Sequence, residues 1–272
     1  MMVSAMPLLT SEAVVLRAWP VHEADLIVSF FTRHYGRMRG VAKSALKSRK
    51  RFGGALEPMT LGRAWFAERP RQELVRLDQL EIVRSPLSAP VDHARMAVLS
   101  FYAELLDEAL PERDPQDAVF RLVVSVLEQT AAAKPLPAQP GAAQPEGTQP
   151  QVAQPWMAFT YFSLWMTRLM GLLPDIGRCI VCGEALHAAE ISYSSHSDGL
   201  FCGLHRNGSA SVLSADSWQL AQQMLKAPAV AFAGEPWTRK RGQDLRRFTL
   251  QTLERHLERK LKSAEAIARL GG

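Results

Sequence analysis

Short apolar runs separated by turn residues fill the first third of the chain. Pro20 follows the first run, and Gly36 follows the second, where a turn is expected. None of the runs has a helical period, so the pattern favours five short strands in a small barrel over a βαβ unit. The predicted strands cover residues 12–19, 25–32, 40–42, 56–67 and 73–83.

After Pro86 and Pro90 the pattern changes to a helical one. Asp92 is a candidate N-cap, and from there to Leu110 apolar residues recur at spacings of three and four. Three further helices are predicted, over residues 115–133, 156–173 and 243–269. The segment 156–173 is apolar nearly all round, so we expect it at the centre of a helical domain.

These elements predict an α+β multidomain protein. We expect a five-stranded barrel domain over residues 1–85 and a helical domain over residues 86–272. Residues 134–155 are rich in Pro, Ala and Gln, and they are expected to form a disordered loop because they carry too little apolar surface to offset ordering. A small cysteine-containing insert is predicted at residues 177–208.

Composition narrows the class of protein. Hydrophobic residues make up 47% and charged residues 22%, which is typical of soluble globular domains. Three cysteines are an odd, sparse set that does not resemble a secreted disulfide framework, and the N-terminus has no signal-peptide pattern, so we expect a reducing cytoplasm. The apolar segment 156–173 contains Arg168, which disfavours a membrane span.

The cysteines form a pattern of metal ligands. Cys179-Ile-Val-Cys182 and Cys202-Gly-Leu-His205 are separated by nineteen residues, and two such turns complete a tetrahedral zinc site. Four protein ligands leave no open position, so the zinc would be structural. His187 or His196 remains an alternative fourth ligand. Other interpretations are a redox cysteine pair, or ordinary thiols near a chance histidine.

Cations are concentrated in one segment of a chain whose net charge is +5. Residues 33–51 contain no acid and predict a DNA-binding loop, because phosphate is the commonest partner of such a cluster. A solvated, self-repelling loop is the alternative, and a membrane surface is disfavoured because no apolar face accompanies the charges. The candidate DNA-binding residues are Arg33, Arg37, Arg39, Lys43, Lys47, Arg49, Lys50 and Arg51.

Two further features bear on nucleic-acid binding. Tyr35, Phe52 and Trp65 are near enough to the basic segment to stack on bases, although Phe52 and Trp65 fit a barrel core equally well. A second basic set on the last predicted helix fits a DNA contact or a solvated face. Its members are Arg247, Arg255, Arg259 and Lys262, preceded by residues 239–241.

No catalytic motif accompanies these features. The sequence contains no P-loop, no dinucleotide fingerprint and no Gly-x-Ser-x-Gly elbow, and its carboxylates are scattered. We therefore expect a protein that is not an enzyme. A metal-dependent nuclease and a zinc-containing DNA-binding transcription factor or adaptor remain alternatives.

Three segments together resemble the RecO family of bacterial recombination mediators. The first runs from Glu12-Ala-Val-Val-Leu-Arg17 to Gly36. The second joins residues 43–51 to Phe52-Gly-Gly-Ala-Leu-Glu-Pro58. The third is Gly171-Leu-Leu-Pro-Asp175 followed by Cys179-Ile-Val-Cys182-Gly183. Their order covers nearly the whole chain. Histidine at position 205 departs from the four cysteines common in the family.

The resemblance implies a fold and a function. The fold would be an N-terminal oligonucleotide-binding (OB) barrel followed by a helical domain with a zinc-finger-like insert. The function would be DNA repair in the cytoplasm, at the nucleoid: binding single- and double-stranded DNA, annealing strands, and loading RecA with the help of RecR onto DNA coated by single-strand-binding protein. The basic residues 33–51 match the region where the family's barrel meets DNA.

Overall fold

A computed structural model describes residues 7–68, 72–88, 92–130, 155–187, 190–206, 208, 210–235 and 237–269. The chain divides into two compact units, residues 1–124 with 261–272, and residues 125–260. The predicted loop 134–155 lies outside the described residues except for Pro155, which begins a helix. The domain boundary after residue 85 stays a prediction.

Five strands near the N-terminus form a closed barrel, as predicted. They pair in the order β1-β2-β3-β5-β4, and β4 returns to β1 to close the sheet. All pairs are antiparallel except β3 with β5. This is a five-stranded barrel of the OB type. The strands are β1 (Leu9–Pro20), β2 (Leu26–Thr32), β3 (Gly36–Ala42), β4 (Leu61–Ala67) and β5 (Val75–Arg84).

Roughly every second side chain along the strands points inward and fills the interior of the barrel. Val15, Val28, Met38 and Phe66 are among the buried residues, and Phe30 meets Phe66 edge-on at 5.7 Å between ring centroids. The loop between β3 and β4 also contributes to this core, through four buried residues. They are Ala45, Phe52, Ala55 and Leu56. The loop is therefore anchored in the barrel.

Helices cover part of the outer surface of the barrel. Helix α1 (His93–Ala109) begins at Asp92, whose side chain accepts a hydrogen bond from the backbone N–H of Ala94 at 3.0 Å, as an N-cap should. It contacts β1 and β2. Helix α2 (Asp117–Thr130) places the ring centroid of Phe120 5.6 Å from that of Phe31 on β2. The outward side chain of Phe31 is thereby buried.

The second unit is built around a central apolar helix. Helix α3 (Pro155–Leu169) is buried along most of its length, which confirms the expectation for the segment 156–173. It packs against α5 (Gln243–His256), which also contacts α4 (Ala215–Met224), a helix that the sequence pattern did not predict. Three short strands, β6 (Ile191–Tyr193), β7 (Leu200–Phe201) and β8 (Ser211–Leu213), form a sheet in the order β7-β6-β8.

The prediction of one long C-terminal helix over residues 243–269 was wrong. Helix α5 ends at His256, and a separate helix α6 (Lys262–Arg269) follows and packs against α1 in the first unit. Between them Glu258 has φ +53, a left-handed conformation that interrupts the helical ladder. Leu253 before the break and Leu261 after it are both buried, so one apolar pattern runs through two separate helices.

Among the helices that the structure describes, none is long and apolar enough to cross a membrane.

Candidate metal centre and nucleic-acid interface

The structure brings the three cysteines and His205 together. One ligand atom from each of Cys179, Cys182, Cys202 and His205 lies within 4.8 Å of all the others. The Nδ1 atom of His205 is 3.3 Å from the Sγ atom of Cys202 and 3.8 Å from that of Cys179. Neither His187 nor His196 belongs to this group.

Two tight turns hold these ligands. In the first, the N–H of Gly183 donates to the carbonyl of Cys179 at 2.9 Å, and Gly183 has φ +72, a conformation that glycine adopts without strain. In the second, the N–H of His205 donates to the carbonyl of Cys202 at 3.0 Å. Pairing of Ile180 with Leu200, N–H to carbonyl at 2.9 Å, fixes the first turn beside β7. The two turns, which we call the knuckles, therefore face each other.

Backbone donors favour a thiolate in this group. Burial alone would raise the pKa of the Cys179 thiol, but the backbone N–H groups of Cys182, Cys202 and Val181, together with the Cys182 thiol, outweigh burial and lower that pKa to about 6. The pKa of Cys182 is raised: the backbone N–H of Glu184 acts against the rise, while burial and the neighbouring thiols of Cys179 and Cys202 produce it. Two adjacent thiolates therefore oppose each other unless a cation lies between them.

The donor set fits a zinc ion. Zinc binds sulfur at about 2.3 Å and histidine nitrogen at about 2.0–2.1 Å, so a sulfur and a nitrogen in a tetrahedral site should lie roughly 3.6 Å apart. The separations of 3.3 Å and 3.8 Å between His205 Nδ1 and the two cysteine sulfurs are close to this value. A divalent cation would also stabilise both thiolates. The cluster of three cysteines and one histidine can therefore hold a metal such as zinc, and all four ligands come from the protein.

The metal-binding segment is fastened to α5. The guanidinium of Arg255 donates to the carbonyls of Ser195 and Ser197, at 3.1 and 3.2 Å, and pairs with Asp198. The ring of Tyr193 on β6 meets that of Phe248 on α5 at 5.0 Å between centroids. These contacts orient the hairpin that carries Cys202.

Four of the eight predicted DNA-binding cations project freely from the barrel. Lys43, Lys47, Arg49 and Lys50 lie on the β3–β4 loop and are exposed. Within the part of the chain that the structure describes, none of them has a carboxylate partner. Because the loop is anchored by core residues, its positive charge is held at the surface of the barrel. We call these four residues the loop cations.

The other four cations make contacts within the protein. Arg33 bridges Glu12 and Asp117 at 2.9 Å each, which raises the arginine's pKa, and Arg39 lies 3.1 Å from Glu112. Both remain partly exposed. Arg51 donates to the carbonyl of Lys43 at 2.7 Å and to Ser48 at 3.0 Å, so it braces the loop.

Arg37 differs from the rest because it is buried, with 8% of its surface exposed. Its Nε donates to the carbonyl of Leu110 at 2.8 Å, and its Nη1 lies 3.6 Å from Asp107 and 3.4 Å from Glu112. It joins β3 to the end of α1. A buried guanidinium has no free face for a phosphate, so our proposal for DNA binding leaves Arg37 out.

The aromatic candidates also occupy different environments. Phe52 belongs to the barrel core, and Tyr35 packs edge-on against Phe66 at 5.4 Å. Trp65 is half-buried on the outer surface of β4. Trp19, at the end of β1, is also half-buried and has the guanidinium of Arg17 at 5.5 Å over its ring. Sequence reasoning missed Trp19, although Arg-x-Trp on a strand places both side chains on one face.

The second basic set is not one helix face. Arg247 and Arg255 belong to α5, Arg259 lies in the break, and Lys262 begins α6 in the other compact unit. Arg255 is engaged with the hairpin, as described above. The break in the helix therefore removes the shared face that the sequence pattern suggested.

Comparison with known proteins agrees with these features. The family model "Recombination protein O N terminal" matches residues 6–86, and "Recombination protein O C terminal" matches residues 90–140 and 148–265. The DNA repair protein RecO of Koribacter versatilis (strain Ellin345) is 46% identical over 260 residues, covering 96% of this chain and 98% of that protein. That of Anaeromyxobacter dehalogenans (strain 2CP-C) is 31% identical, covering 95% of each. The chain therefore belongs to the RecO family of DNA repair and recombination proteins.

Proposed function

We propose that this protein is a non-enzymatic recombination mediator. It binds single- and double-stranded DNA, anneals complementary strands and, together with RecR, helps to load RecA onto DNA coated by single-strand-binding protein. The observation that carries the DNA-binding part is the set of four loop cations, Lys43, Lys47, Arg49 and Lys50, on a loop anchored in the barrel. They are exposed and have no carboxylate partner among the residues that the structure describes.

Phosphate contacts explain why such a surface would anneal strands. Cations that contact phosphates release condensed counterions and bind any sequence, because the phosphates carry no sequence information. Two strands bound to the same kind of surface lose part of their mutual repulsion, and base pairing then decides which strands stay together. The loop cations would supply this positive field, with Arg33 and Arg39 at its edge.

The metal centre has a separate, structural role in this proposal. Zinc held by Cys179, Cys182, Cys202 and His205 would complete the insert between α3 and α4, and its four protein ligands leave no position for a substrate. Membership in the family also implies RecR and single-strand-binding protein as partners, and a location at the nucleoid.

Sequence preference separates a mediator from the alternative of a zinc-containing transcription factor. We expect single strands of unrelated sequence to bind within a few-fold of one another, with affinity falling steeply as salt rises. Fluorescence anisotropy with several single strands and duplexes, each at three salt concentrations, measures both properties. A preference of a thousandfold or more for one duplex, as sequence-specific proteins show, would establish the alternative instead.

A further inference from the structure

Trp19 lies in a row of outward side chains that crosses four adjacent strands of the barrel. The strand register pairs Trp19 with Ile27, Ile27 with Val41, and Val41 with Arg76. The neighbouring positions Ala18, Val28 and Ala42 point into the core, so the row lies on the opposite, outer side. At about 4.8 Å between strands, it is roughly 14 Å long.

The first three members of this row are apolar and incompletely covered, and the fourth is Arg76. Trp19, Ile27 and Val41 are each half-buried. At the β5 end, next to Val41, an open cleft of about 360 Å³ is lined by Lys43, Leu74 and Arg76, and also by the acidic Glu73. The row therefore offers a flat ring at one end and a recess at the other.

Cations lie on both sides of the row, together with some acids. Two residues along the strands, the register places Arg17, Ser29 and Arg39 side by side on the same outer side. Ser29 is buried and donates a hydrogen bond to Asp107, so the exposed cations of this second row are Arg17 and Arg39, and Arg39 also pairs with Glu112. Lys43 continues β3 two residues beyond Val41 and is one of the loop cations. An apolar strip framed by arginine and lysine matches a single-stranded nucleic acid, whose bases present apolar faces and whose backbone is a chain of phosphates.

We infer that Trp19 is a base-stacking residue for single-stranded DNA. One base stacks on its indole ring, the strand follows the row towards the cleft beside Val41, and Arg17, Arg39 and Lys43 contact the phosphates. Arg17 also holds the ring in place through its cation–π contact. The inference rests on the proposed function, since it assigns a subsite to the same DNA-binding barrel.

The barrel contains a matched control in Trp65. It is also half-buried and outward, but the register places it between Thr10 and Gln79, and the next row contains Glu12, Arg63 and Glu81. These surroundings contain more acidic than basic side chains, so they disfavour the negatively charged phosphate backbone of DNA. Trp65→Ala therefore removes a half-buried, outward indole from the same barrel without touching the proposed row.

Two oligonucleotides test the stacking role. We expect Trp19→Ala to bind a thymidine oligonucleotide about tenfold more weakly than the unchanged protein does, because one stacked base is lost. For an abasic oligonucleotide of equal length, the affinities of the variant and the unchanged protein should agree within about twofold. Trp19→Phe should recover most of the loss, and Trp65→Ala should change neither affinity. Binding of thymidine oligonucleotide should quench tryptophan fluorescence less in Trp19→Phe than in the unchanged protein.

The outcomes distinguish this inference from the proposed function. If the unchanged protein binds neither oligonucleotide, the DNA-binding proposal fails as a whole. If it binds both and Trp19→Ala weakens both equally, or neither, the stacking role is wrong while DNA binding stands. Equal melting temperatures of the variants and the unchanged protein, followed by circular dichroism, confirm that the barrel is intact. An unchanged DNA affinity combined with lost binding of a protein partner would assign the row to that partner.

Discussion

Replacing Lys43, Lys47, Arg49 and Lys50 together with alanine should weaken binding to single-stranded DNA on the order of a hundredfold at 0.1 M salt. Each contact with a single-strand phosphate contributes a slope of about −0.7 to the dependence of log affinity on log salt. Removal of four contacts should therefore make the slope shallower by about 3. Fluorescence anisotropy titrations over a range of salt concentrations measure both quantities.

A control variant separates this local effect from net charge. Alanine at four exposed cations outside the barrel changes the net charge equally; Arg121, Arg168, Lys226 and Arg269 serve this purpose. We expect its salt slope to stay within about 1 of the original. If the two variants lose affinity equally, DNA responds to total charge and the loop has no special role. Arg51 is left unchanged in both variants because it braces the loop.

His205→Ala should release the metal from the insert. Structural zinc sites bind with an apparent free energy of about 10–16 kcal/mol in small peptides, and loss of one ligand leaves an incomplete tetrahedron. We expect native mass spectrometry to find about one zinc per unchanged chain and little in the variant. Limited proteolysis should then cut within residues 177–208, because the two knuckles lose the ion that joins them.

Three further substitutions make this result specific. His205→Cys should retain zinc, since a fourth thiolate replaces the imidazole, whereas His187→Ala and His196→Ala should leave the metal content unchanged. Chelator treatment should reproduce the proteolytic pattern of His205→Ala. Substoichiometric zinc in unchanged protein purified without chelator would refute the metal site. DNA binding by the barrel should survive the loss of zinc in every case.

Sequence patterns predicted the barrel and the grouping of three cysteines with one histidine, for physical reasons. Alternating burial needs alternating residues, and Val28, Phe30 and Phe66 follow it, so the strands were recognisable. The ligand cluster was recognisable because a tetrahedral ion needs pairs of donors on tight turns, and Cys179-Ile-Val-Cys182 supplies one. Both features depend on short-range spacing, which a sequence displays directly.

Features that depend on tertiary contacts were not predictable in this way. In sequence Arg37 looks like its neighbours in the basic segment. Only the position of Asp107 on α1, and of Leu110 just after that helix, shows that it is an internal ion-pair residue. The apolar period of the sequence runs without a break from α5 into α6, so it gives no sign of the left-handed residue Glu258 between them. Trp19 stood apart from the basic segment in sequence and joins it only through strand register.

A recombination mediator must pair DNA strands that another protein has coated. The most direct measurement is the annealing of complementary fluorescent strands saturated with single-strand-binding protein from the same organism, followed in real time. We predict rapid annealing with the unchanged protein, slow annealing without it, and little acceleration by the variant that lacks the loop cations. Annealing of bare strands without any acceleration on coated strands would contradict the mediator function.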